Sequence, residues 1–153
     1  MKGALVMGKA SRPFNLSYPG EVAPQAEKLA RNLRKYAEQM KQWRSTLQAS
    51  LVDRYGFDAA RVRVLVDESV SGGTTGSAAN VKAVLGEIRK AASADDLLLL
   101  VLLGHGTYDG DVAKFNLVGP DMTAPEWNTL LTGLPGRLIL VNTTEASFPF
   151  LEA

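Results

Sequence analysis

The chain reads as an α/β protein built on a mainly parallel sheet with helices on both faces. Three observations point there. Short, wholly apolar runs at residues 4–7, 97–103 and 138–141 fit strands buried on both faces. Stretches with helical apolar spacing separate those runs. Each run stops at glycine or a polar loop, where a strand can turn back. The resulting βαβαβαβ pattern, with right-handed crossovers, predicts a three-layer α/β/α arrangement. A flavodoxin-like strand order, 2-1-3-4, puts the switch point between the first and third strands. With 153 residues, the expectation is one domain over 1–153.

The first strand, Ala4-Leu5-Val6-Met7, is closed by Gly8, and a loop with Pro13, Pro19 and Gly20 follows. The next stretch predicts a long helix over about 23–55, with Pro24 in its first turn. Its apolar seam runs through Leu29, Leu33, Tyr36, Met40, Trp43, Leu47 and Leu51. At 1.5 Å per residue such a helix is about 45–50 Å long, more than the strands beneath it need. Either it overhangs its own sheet or one end projects towards a partner. Tyr55-Gly56-Phe57-Asp58 stops it. Residues 61–66 alternate charged and apolar at their start, which predicts an edge or near-edge strand. Residues 67–76 form a glycine-rich loop. Ser77 is the expected N-cap of a second helix, with Val81, Val84, Leu85 and Ile88 on one face.

The third strand, residues 97–103, runs into Gly104-His105-Gly106-Thr107, and His105 is the one histidine in the chain. Ligands in open α/β sheets sit past the C-terminal ends of strands, so His105 stands where such folds do chemistry. Histidine is the one side-chain type whose unperturbed pKa lies near neutrality, which suits proton transfer. Residues 107–120 read as a loop. Thr123 caps a short third helix with Pro125 just inside it and Trp127, Leu130 and Leu131 facing inward. After Pro135-Gly136, residues 138–141 make a fourth buried strand that ends in Asn142-Thr143-Thr144-Glu145-Ala146-Ser147. Adjacent strands lie about 4.8 Å apart, so side chains past the third and fourth strands are expected to meet.

Composition excludes several functions. The net charge of +1 and the spread of basic residues offer no nucleic-acid footprint. The apolar run at 97–103 is too short to span a bilayer, and the N-terminal apolar core is too short for a signal peptide. The compartment stays open. Cysteine is absent, which removes disulfides, thiolate metal sites and a thiol nucleophile. Residues 3–10 resemble a phosphate-binding loop but have Ala10 where magnesium needs a hydroxyl, and a strand where a loop is required. The Ser71–Gly76 glycines lie away from the switch point. Asp109-Gly110-Asp111 lacks the further ligands of a calcium loop. No metal or cofactor is expected.

At Leu102-Leu103-Gly104-His105-Gly106-Thr107 and the end of the fourth strand, the sequence resembles the caspase–legumain–gingipain superfamily of cysteine peptidases. Residues 114–121, Lys-Phe-Asn-Leu-Val-Gly-Pro-Asp, resemble a bacterial, legumain-like branch. The likeness takes in most of the chain, including Trp43-Arg44 and Leu47 of the first helix. The resemblance implies a caspase-like fold, with His105 as general base and acid. It also implies the Gly106 N–H as an oxyanion-hole donor and peptide hydrolysis through an acyl-enzyme.

The chain departs from that family at the nucleophile. Direct alignment puts Thr144 at the cysteine position, and a looser one puts Ser147 there. Neither hydroxyl is nucleophilic at neutral pH without an aligned base. The family's fold also continues with two more strands, so the fourth strand becomes an exposed apolar edge and the domain reads as truncated at its C-terminus. The expected function is a peptidase homologue, impaired or a fragment, that binds a peptide or protein. The alternatives are an active hydrolase using Thr144 or Ser147 with His105, and a non-catalytic flavodoxin-like binding or regulatory module. The exposed edge predicts a homo-oligomer or a C-terminal partner segment paired through the fourth strand.

Overall fold

A computed structural model describes residues 2–8, 23–67 and 74–152. It is a mixed α/β structure. The strands are β1 (Lys2–Gly8), β2 (Val62–Val66), β3 (Thr74–Thr75), β4 (Leu97–Leu103), β5 (Gly106–Tyr108), β6 (Ala113–Phe115), β7 (Met122–Thr123) and β8 (Arg137–Asn142). The helices are α1 (Ala23–Asp53), α2 (Ala78–Ala91) and α3 (Ala124–Leu131). Five strands make one sheet in the order β3-β2-β1-β4-β8. Every pairing within it is parallel.

The apolar run of β4 becomes a central strand because both of its neighbours accept it in full register. Lys2 faces Leu97 and Gly8 faces Leu103 on one side, while Leu97 faces Arg137 and Leu102 faces Asn142 on the other. Its side chains alternate. Leu98, Leu100 and Leu102 join one apolar cluster with Met7, Leu65, Val81, Leu85, Phe115 and Trp127. Leu99 packs instead with Leu47, Leu51 and Val52 of α1, and with Phe57, Val62 and Val64. Burying each such leucine is worth about 1.5–3 kcal/mol, so the strand's composition dictates its central place.

The helix signals are local and work as read. The Ser77 hydroxyl accepts from the Asn80 N–H at 3.3 Å and starts α2. Thr123 and Glu126 form a reciprocal capping box, and Pro125 sits inside the first turn of α3. Trp127 is buried and meets Phe115 edge-on, with ring centroids 6.2 Å apart. The helix α1 runs unbroken for 31 residues. Its apolar seam is only partly covered: Met40 and Leu51 are buried, but Tyr36 and Trp43 are exposed. The side chains of Leu29 and Leu33 lie outside the described residues, as do the loop over 9–22 and residues 68–73 of the glycine-rich loop.

Three expectations need correction. Residues 74–75, read as the end of a loop, form β3 and pair in parallel with β2, so β2 is a near-edge strand. Residues 107–120 are not a plain loop. They contribute to a three-stranded antiparallel sheet, β5-β6-β7, laid beyond the C-terminal end of β4. The strands are two or three residues long, too short to show alternation. The apolar run at 138–141 predicts a strand buried on both faces, and β8 is not one. It closes one side of the large sheet with Leu138, Ile139 and Val141 exposed, the open apolar edge expected from the missing further strands. A run of apolar residues shows what a strand prefers, not whether a neighbour is there to cover it. Among the described residues, no helix is long and apolar enough to cross a membrane.

Candidate functional site

The site lies past the C-terminal ends of β4 and β8. Thr143 ties the two ends together, since both its N–H and its hydroxyl donate to the Leu102 carbonyl, at 3.0 and 3.1 Å. The chain then turns, and the Asn142 side-chain oxygen accepts the Thr144 N–H at 3.1 Å. These bonds set Thr144 and Glu145 opposite the segment that leaves β4.

His105 is the first side chain beyond that strand's closing Gly104. Its carbonyl accepts the Asn116 N–H at 3.1 Å. Its ring Nδ1 lies 3.4 Å from Oε1 of Glu145. Tyr36 of α1 stacks on the ring, with centroids 5.4 Å apart and planes 21° from parallel. The side chains past β4 and β8 therefore meet, as the strand spacing implied.

Gly106 opens β5, opposite Phe115 of β6. The hydrogen bond between His105 and Asn116 fixes the phase of this antiparallel ladder. Hydrogen-bonded and non-hydrogen-bonded pairs alternate, so Gly106 and Phe115 form a non-bonded pair. The Gly106 N–H therefore stays out of the β5–β6 ladder. The other side of Gly106 is crowded. A β-carbon there would meet Oγ1 of Thr144 at 2.8 Å, Cβ of Ala146 at 3.0 Å and the Lys114 carbonyl at 3.0 Å. Only glycine fits.

Thr144 is 4% exposed, and its hydroxyl oxygen is buried without a hydrogen-bond partner. Such a hydroxyl is costly, by about 1–3 kcal/mol. The Asn142 side-chain nitrogen, two residues earlier, is also buried and unpartnered. Ser147 stands differently. It precedes a single 3-10 turn, Phe148–Leu151, without capping it, and its carbonyl accepts the Phe150 N–H at 3.1 Å. No hydrogen bond joins His105 to Thr144 or to Ser147; the imidazole's polar partner is Glu145.

The sequence pointed to His105, Gly106, Thr144 and Ser147. The structure brings the first three together and leaves Ser147 one turn further on. Glu145 and Tyr36 were missed as site residues. Glu145 stands next to Thr144, so its position was in view, but its partner is 40 residues away. Tyr36 belonged to an apolar seam and carried no separate signal. Among the described residues, no group of three potential metal ligands occurs. No protein-family profile matches the chain, and no curated protein matches it significantly.

Proposed function

We propose that this protein is a caspase/legumain-like peptidase homologue with a three-layer, caspase-like core, impaired in catalysis and retaining peptide binding at the crevice between His105 and the end of β8. The observation that carries this is the placement of Thr144. Its hydroxyl lies buried under Gly106, at the position where the resemblance calls for a nucleophile, and makes no hydrogen bond to His105. A hydroxyl needs a base in contact to attack a carbonyl at neutral pH. The Nδ1 of the imidazole faces Glu145, and neither ring nitrogen is hydrogen-bonded to the Thr144 hydroxyl.

Binding has separate support. The Gly106 N–H, outside the β5–β6 ladder, is a donor suited to a peptide carbonyl. The open edge of β8 is suited to an extended chain or to a second copy of this protein, because among the described residues no strand pairs with it beyond β4 and Ile139 and Val141 are exposed. An active hydrolase using Thr144 or Ser147 finds no base in contact with either hydroxyl.

A mixed peptide library incubated with the full chain, read by mass spectrometry for products and for retained peptides, tests this. The expected outcome is retention without cleavage, with retention reduced in His105→Ala. Cleavage that disappears in both His105→Ala and Thr144→Ala would instead establish a hydroxyl peptidase. Neither products nor retained peptides, from folded protein, would refute peptide binding.

A further inference from the structure

Three separate elements converge on one imidazole. His105 follows β4, Glu145 follows β8, and Tyr36 lies within α1. Tyr36 covers the face of the ring, while Glu145 meets its edge at Nδ1. We propose that Glu145 and Tyr36 are positioning residues for His105. Glu145 holds the ring proton on Nδ1, so that Nε2 keeps the lone pair, and Tyr36 holds the plane of the ring. Their use in peptide recognition rests on the function proposed above; the state of the ring does not.

The chemistry follows from the donor inventory. A neutral imidazole carries one N–H and one acceptor nitrogen. An ionised carboxylate only accepts, so the nitrogen that faces it is the one that carries the proton. A carboxylate at Nδ1 therefore selects the tautomer with Nε2 free, the form in which an imidazole takes a proton from, or accepts a hydrogen bond from, a ligand in the crevice. The 3.4 Å separation is long for an N–H···O bond, and the Glu145 side chain is 64% exposed. The pair thus contributes orientation rather than stability. Tyr36 supplies what a single edge contact cannot. An imidazole tethered at one nitrogen still swings about that contact, and a stacked ring blocks the swing. At 39% exposure, Tyr36 does this from the surface, where its burial alone would not explain it.

The test uses the full chain, in which one histidine yields one set of ring signals. Long-range proton–nitrogen correlation at about pH 8.5, where an ordinary imidazole is neutral, reads the tautomer directly. The wild type is expected as the Nδ1–H form. Glu145→Ala is expected to raise the proportion of the Nε2–H form several-fold. Glu145→Gln, whose side-chain carbonyl still accepts, is expected to keep the Nδ1–H form. Tyr36→Leu is expected to move the His105 ring-proton resonances downfield as the ring current is lost, and Tyr36→Phe to leave them in place. A wild-type ring in the Nε2–H form overturns the proposal without any variant. So does an unchanged tautomer in folded Glu145→Ala, or unmoved ring resonances in folded Tyr36→Leu. Peptide turnover plays no part in these signals, so a failure of the peptidase-homologue assignment would leave them intact.

Discussion

Gly106 and Thr144 touch so closely that a β-carbon on the glycine would stand 2.8 Å from the threonine hydroxyl oxygen. The contact joins the start of β5 to the segment after β8, and so joins the two halves of the site. Gly106→Ala must push Thr144 aside or shift β5 against the Lys114 carbonyl, also 3.0 Å away. Overpacking of this kind costs about 1–3 kcal/mol. Urea unfolding is expected to show that loss, together with altered amide resonances at 144–146. An unchanged midpoint would mean that the two residues are not packed as described.

Thr144 offers the opposite sign. Its hydroxyl is buried without a partner, so replacing it by a methyl group of similar shape removes a burden rather than a bond. Thr144→Val is expected to stabilise the protein by about 1 kcal/mol in the same unfolding experiment. A loss of stability would reveal a hydrogen bond at that oxygen.

Two local carboxylates, Glu126 and Asp109, should contribute to acid sensitivity alongside Asp96. Glu126 lies below the ordinary glutamate value of 4.5 because the Thr123 N–H, and then its hydroxyl, donate to it. Asp109 is lowered by the N–H groups of Val112 and Asp111. Each folded pKa is lower than the unfolded one, so the stabilisation is complete above about pH 4.5 and is lost as pH falls through the lowered values. Glu126→Gln is expected to flatten the fall in unfolding midpoint between about pH 5 and pH 3. Thr123→Ala, which removes the cap, is expected to cost about 1 kcal/mol at neutral pH. Equal acid slopes for wild type and Glu126→Gln would contradict the assignment.

The open side of β8 predicts association. Ile139 is 47% exposed and Val141 is 41% exposed on a strand that, among the described residues, pairs only with β4. Such edges pair with other chains unless charge or proline blunts them. Sedimentation at rising concentration is expected to show a dimer, and Ile139→Lys to weaken it at least tenfold. A clean monomer throughout the range would count against pairing through this strand.

How much of this was legible depended on how local each cause was. The caps at Ser77 and Thr123 bond within three residues, and the sequence carries their whole chemistry. The β4 run suits a buried helix segment by length alone, and the Gly104-His105-Gly106 stop and the Asp95-Asp96 pair in front of it favour the buried strand. Its end then places His105 by topology alone. The stack of Tyr36 on His105 is another matter. It joins residues 69 positions apart, and a tyrosine on a helical seam is equally suited to a core. The short strands β5 to β7 leave no periodic trace, although they are what hold Gly106 against Thr144. The apolar run of β8 does not encode its exposure; the expectation of an open edge there rests on the family resemblance instead.

Thr144→Cys tests most directly the proposal that this chain carries a caspase-like site without its nucleophile. A thiol is partly ionised near neutrality where a hydroxyl is not. The account predicts no cleavage of a mixed peptide library by the wild type, cleavage by Thr144→Cys, and none by Thr144→Cys combined with His105→Ala. Silence from folded Thr144→Cys, or cleavage by the wild type that Thr144→Ala abolishes, would contradict it.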